Sequence, residues 1–179
     1  IVAVDLEADK LDLARKLGAT HTLRADQCDV PAEVAKLTPA QLGQSFGVNF
    51  GSVLGLANHT IMADQAWLQR LSGVGERVTP DTYVALTDFA ALRALRVAED
   101  TRIVSFCEAL DPQRLAEALH YVNLKGEPRS QPFALCLAHF FNHQTFHRGH
   151  IHALLGVLGL NPPDLDLIAF QVAQRASES

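Results

Sequence analysis

The sequence predicts an all-α protein, a helical bundle, and three observations carry that prediction. From Asn49 onward, apolar residues recur at three- and four-residue spacing through long windows, the period of helices with a buried face. Breakers stand where those windows end: Ser72-Gly73-Val74-Gly75, Asp111-Pro112, Gly159 and Asn161-Pro162-Pro163. The stretch Ala138–His152 holds five of the chain's eight histidines. On a helix, four of them fall within a sector of about 80°. Three long helices able to run antiparallel, with a fourth segment upstream, make a bundle.

The elements follow in order. Residues 1–24 form an atypical N-terminal segment. I-V-A-V-D-L is a strand pattern, Glu7–Leu17 an amphipathic helix stopped by Gly18, and T-H-T-L strand-like. This order resembles the second βαβ unit of zinc-dependent medium-chain alcohol dehydrogenases, where the acidic residue at the Asp5 position holds a ribose hydroxyl. The glycine-rich phosphate loop of that unit is not among these residues, so dinucleotide binding has no physical basis. A helix or leader packed on the bundle is expected instead. Residues 25–42 can supply helical turns on either side of Pro31, where a break is expected. Ser52–Leu71 is the first long helix, with Val53, Leu56, Ala57, Ile61, Ala63, Trp67, Leu68 and Leu71 apolar. Thr87–Leu110 is the second. Leu92, Leu95, Ile103, Val104, Phe106 and Leu110 form its inner stripe, and Arg and Glu its outer face. Asp111 caps a short helix with Pro112 in its first turn. His120–Arg129 reads as a hairpin or extended loop around Lys125-Gly126-Glu127-Pro128. Ser130 caps Gln131-Pro132, which opens the histidine helix running to about Leu158. Asp164–Arg175 is an additional C-terminal helix, and Ala176–Ser179 frays.

Composition narrows the function. With 179 residues, one domain is the default, here a bundle over 25–179. No apolar run approaches the roughly 20 residues that span a bilayer, so no membrane partner is expected. The acidic opening residues, Asp5, Glu7, Asp9 and Asp12, do not read as a signal peptide. A net charge of -5 supplies no basic stripe, so nucleic acid is not an expected partner. Cys28, Cys107 and Cys136 are odd in number and widely spaced, which fits a reducing cytoplasm.

Imidazoles one turn apart present nitrogen ligands to one metal ion. The helix offers two such pairs, His139/His143 and His143/His147, and its geometry does not choose between them. His152 points away. A third ligand must come from elsewhere: His59 is the foremost candidate, ahead of His21 and His120. Asp64 could orient a ligand ring. Asn58 and Asp64 could serve helix–helix hydrogen bonding. Trp67, Phe140 and Phe141 read as core, and Cys136 as buried and inert.

The pattern N-H-x4-D-x2-W-L-x-R-L, followed downstream by H-x2-N-H-x-T-x-H-R-G-H-x-H-x-L-L, resembles the DinB-like, damage-inducible family of metalloenzymes. F-G-S-V-L-G, A-L-R…D-T-R-I, H-Y-V-N-x2-G and P-P-D-L-D-L-I match as well. The resemblance covers about residues 40–175, while the segment matching the family's first helix is poor. It implies a four-helix bundle of up-down-down-up order with one long crossover. It also implies a divalent metal on His59, His143 and His147. His139 would then be a group behind the ligands or a bundle-core histidine, His150 would line the pocket mouth, and Arg148 would anchor an acidic substrate or pair with a carboxylate. Characterised members of the wider superfamily use such a site to activate low-molecular-weight thiols for transfer to electrophiles. A metal-dependent thiol S-transferase is therefore the leading expectation, acting on a small molecule, with zinc, nickel or iron as metal and a homodimer as a further possibility. The alternatives are a metal-assisted hydrolase and a non-catalytic metal-binding stress-response bundle.

Overall fold

Helix dominates, as the apolar periodicity requires. The structure is a computed structural model that describes residues 34–162, the segments 2–5 and 21–24, and positions 165, 166, 168 and 172. β1 (Val2–Asp5) and β2 (His21–Arg24) pair in parallel, Val2 opposite His21 and Asp5 opposite Arg24. These residues are strand, as their sequence patterns suggested, rather than the helix or leader expected there, and they add a two-stranded element to a mostly helical chain; the valines of V-A-V favour the pleated form. The helix expected over 7–17 and the break at Pro31 lie outside the described residues. So does most of the C-terminal helix, of which Ile168 and Val172 are helical.

α1 (Pro39–Gly43) opens with a capping box. Thr38 Oγ1 accepts from the Gln41 N–H, and Gln41 Oε1 accepts from the Thr38 N–H. α2 (Val53–Ser72) starts where Ser52 accepts the Gly55 N–H and ends at Gly73, whose φ of 74° only glycine adopts without strain. α3 (Phe89–Glu108) starts two residues later than the sequence suggested, because the Asp88 carboxylate accepts the N–H groups of Ala90 and Ala91. Asp111 caps a 3-10 turn over Pro112–Ala116.

β3 (Ala118–Val122) and β4 (Pro128–Pro132) form the expected hairpin, antiparallel with His120 opposite Ser130. Asn123 Oδ1 accepts from the N–H groups of Lys125 and Glu127 and holds the turn. Ser130 is therefore a ladder residue and not a helix cap. α4 (Phe133–Val157) follows directly and ends in a Schellman pair, Gly159 N–H to Gly156 O and Leu160 N–H to Leu155 O. No described helix is long and apolar enough to cross a membrane.

The chain divides into two compact units, Gly43–His147 and Ile1–Leu42 with Arg148–Ser179. In the first, Leu68 and Leu71 of α2, Ile103 of α3, Leu119 of β3, and Phe133, Cys136 and Phe140 of α4 form the core, flanked by Trp67 and Phe106. Each fully buried side chain of this size contributes roughly 1.5–3 kcal/mol. Burial also pushes the Cys136 thiol up, away from its reactive form. Phe141 is exposed rather than core. The α3 stripe differs from expectation as well: Val104 is exposed, while Glu99 is buried with a carboxylate oxygen 2.7 Å from Arg102. A charged residue takes an inner position there because a partner one turn on keeps its charge balanced.

Asn58 fixes the loop before α3. Its amide nitrogen donates to Leu54 O and Leu86 O, and its Oδ1 accepts from the Leu86 N–H and the Tyr83 hydroxyl. All four hydrogen-bonding positions of a buried amide are thus filled.

Candidate metal centre

His59 stands on α2, one residue after the locked Asn58. His143 and His147 stand one turn apart on α4, so both side chains leave the same face. The three rings converge, and one nitrogen of each lies within 4.8 Å of the others. His59 Nε2 and His143 Nε2 are 3.4 Å apart. Ring centroids of His59 and His147 are 4.6 Å apart, and those of His143 and His147 4.4 Å. His147 is buried and the other two half-buried.

The donor set fits a divalent ion. Metal–imidazole bonds of about 2.0–2.1 Å at tetrahedral angles put ligand nitrogens roughly 3.3–3.4 Å apart. The His59–His143 separation already has that value. Protonation would spoil ligation, and the site opposes it. Burial first, then His147 and His143, push the His59 pKa down to about 4. Burial and the neighbouring His139 lower His143 too. Three neutral imidazoles leave one or more coordination positions open, the pattern of reactive rather than structural sites.

A stability signature follows. Between pH 4 and 6.5 the unfolded His59 binds a proton that the folded one refuses, so stability of the metal-free protein should rise with pH across that window. Urea midpoints at pH 4.5 and 7 test this against His59→Asn, whose midpoint should change less. Equal pH slopes for the two proteins would contradict the lowered pKa.

The remaining candidates fall into place around this triad. His139 is exposed, with its ring centroid 5.0 Å from Trp67 and 5.8 Å from His143. It neighbours the cluster without joining it, so of the two α4 pairs the structure assembles His143/His147. His120 is exposed on β3. Arg148 is exposed and His150 half-buried farther along α4. Arg148 and half-buried His152 border a hollow with Ile151, Leu155, Pro162 and Leu165.

Asp64 is buried and engages no histidine among the described contacts. Its Oδ2 accepts from Arg96 of α3 and its Oδ1 from Gln144 of α4, at 3.0 Å for the latter. Burial raises its carboxyl above the usual range, while Arg96 and Gln144 oppose that shift. The carboxylate thereby ties three helices together beside the ligand-bearing turn of α4. Arg96 and Gln144 had no signal in the sequence, because each acts across helices.

Two phenylalanines also border the cluster. Phe50 lies face to face with His59, centroids 3.6 Å apart and planes 13° apart, and edge-on to His147 at 5.7 Å. Phe146 meets His147 edge-on at 5.1 Å. Sequence periodicity did not mark either. For Phe50 the available signal was the flanking pair Gly47 and Gly51, which announces a tight loop.

Residues 30–178 match the family model described as the DinB family. The chain belongs to the DinB family. The chain's fold is similar to that in the crystal structure of a DinB-like protein from Bacillus cereus ATCC 10987, with a TM-score of 0.58. The two are 21% identical, and the match covers 76% of this DinB-family chain and 88% of the Bacillus protein. Comparison with curated proteins finds no match. Family membership and three converging histidines together fit a metal-binding DinB protein.

Proposed function

We propose that this protein is a metal-dependent thiol S-transferase, built as an up-down-down-up four-helix bundle over residues 25–179. His59, His143 and His147 would hold the ion. The observation carrying this reading is the convergence of three imidazoles from two helices; three such donors would leave a bound ion with open coordination positions. Zinc, nickel and iron all suit such nitrogen donors. A divalent ion bound there supplies a Lewis acid that lowers the pKa of a coordinated thiol or water.

The protein's own groups do the rest. His59 and His143 are held neutral, so no proton has to leave before they ligate. Asp64, Arg96 and Gln144 fix α4 against α2 and α3, which keeps the His143 turn opposite His59. In the transfer itself, the thiol loses its proton to solvent, its sulfur lone pair forms a bond to the electrophilic carbon, and that carbon's leaving group departs with its electron pair. A cytoplasmic location and a homodimer are part of this reading.

The test is turnover of zinc-, nickel- or iron-loaded protein with a panel of low-molecular-weight thiols and electrophiles such as aryl halides. Metal-dependent loss of free thiol supports the transferase. Hydrolysis of an activated ester without any thiol would replace it with the hydrolase reading. Stoichiometric metal with neither activity would leave a non-catalytic metal-binding bundle.

A further inference from the structure

We propose that Phe50 is a positioning residue for His59, held against the imidazole by a strained loop. The proposal rests on the metal-binding reading and adds to it the element that sets the plane of one ligand ring. Phe50 has φ 65°, the one non-glycine residue in the left-handed region among those described. A bulky residue avoids that region, because its Cβ crowds the backbone. Gly47 and Gly51 take positive φ on either side of it. The loop is closed by Phe46 N–H to Gly51 O, Gly51 N–H to Val48 O and Ser52 N–H to Phe50 O.

Burial does not account for this conformation, since Phe50 is 48% exposed. Its contacts do: the ring lies flat on His59 and edge-on to His147. Relaxing Phe50 to an ordinary φ would swing the ring off the ligand. The helix is shaped to receive the loop. A Cβ at Gly55, in the first turn of α2, would collide with the Phe50 carbonyl oxygen. Phe50, Gly51 and Gly55 thus give F-G-S-V-L-G one physical meaning: a clamp that holds an aromatic face against His59, whose Nε2 meets that of His143.

The experiment compares wild type, Phe50→Leu, Phe50→Tyr, Gly55→Ala and the Phe50→Leu/Gly55→Ala double variant. Co2+ titration is followed by visible absorption, and the His59 ring resonances are recorded in metal-free protein. Phe50→Leu should weaken Co2+ binding about tenfold, as loss of a group that orients a ligand does, and should abolish the upfield ring-current shift of His59. Phe50→Tyr should restore both. Gly55→Ala should weaken Co2+ binding in the same direction, and the double variant should be no worse than the poorer single one. An unchanged His59 resonance in Phe50→Leu, wild-type Co2+ affinity and spectrum in that variant, or failure of Phe50→Tyr to rescue would each overturn the proposal while leaving the metal site intact. Failure of the wild-type protein to bind Co2+ would overturn the metal reading, and this proposal with it.

Discussion

Replacing His143 with alanine is expected to abolish stoichiometric divalent-metal binding while the fold persists. His143 faces both other rings, with Nε2 3.4 Å from that of His59 and its centroid 4.4 Å from that of His147. Without it, two rings on different helices remain, too few to hold an ion against water. Groups that merely orient a ligand are worth about 10–100-fold in affinity, so loss of a ligand should exceed about 100-fold. The fold should survive, because His143 is half-buried and outside the apolar core. Metal content after zinc loading and dialysis checks this, with His139→Ala as the control expected to retain its ion. Stoichiometric metal in His143→Ala would sink the three-histidine assignment. Loss of metal in His139→Ala would point to the other pair on α4.

The second large effect is on stability. Arg96→Met should cost about 3–5 kcal/mol, since it leaves a buried carboxylate without its cation. The Asp64 side chain is only 2% exposed, and Gln144 alone would face it. Removing both charges with Asp64→Asn/Arg96→Met should recover most of the loss, because the desolvated charge is then gone. The pH dependence has a definite sign. Burial raises the Asp64 carboxyl already, against Arg96 and Gln144. Without Arg96 the folded protein takes up a proton there more readily than the unfolded chain, so the deficit should shrink as pH falls. Urea midpoints at pH 5 and pH 7.5 measure both. A deficit below about 1 kcal/mol at neutral pH, the scale of an exposed pair, would show that Asp64 is solvated.

What the sequence revealed, and what it hid, divides along physical lines. The α2 and α4 spans, the Gly73 and Gly159 stops and the hairpin around Gly126 were legible, because each follows from local periodicity or turn chemistry. The parallel strands at 2–5 and 21–24 were half legible: the strand pattern was visible, but their pairing depends on a partner distant in sequence. His59 was a candidate only once a third ligand was required, and the helix alone could not choose His147 over His139. Glu99 was hidden because a glutamate in a helix reads as solvent-facing until its partner is known. Phe50 was hidden for a related reason. Propensity never assigns a phenylalanine to the left-handed region, so only the folded loop places its ring on His59. Local rules fail where contacts beyond the local pattern override them, and Phe50 beside His59 is one such place.

Trp67 has a practical consequence. It is the chain's only tryptophan. It flanks the core of the Gly43–His147 unit, with the Arg70 guanidinium 4.9 Å from its ring. The protein therefore carries a single indole, and its emission, excited selectively over that of the two tyrosines, samples one unit alone. Emission and far-ultraviolet dichroism will trace the same melting curve only where the entire chain unfolds in one step. Any gap between the two curves measures how independently the remainder melts.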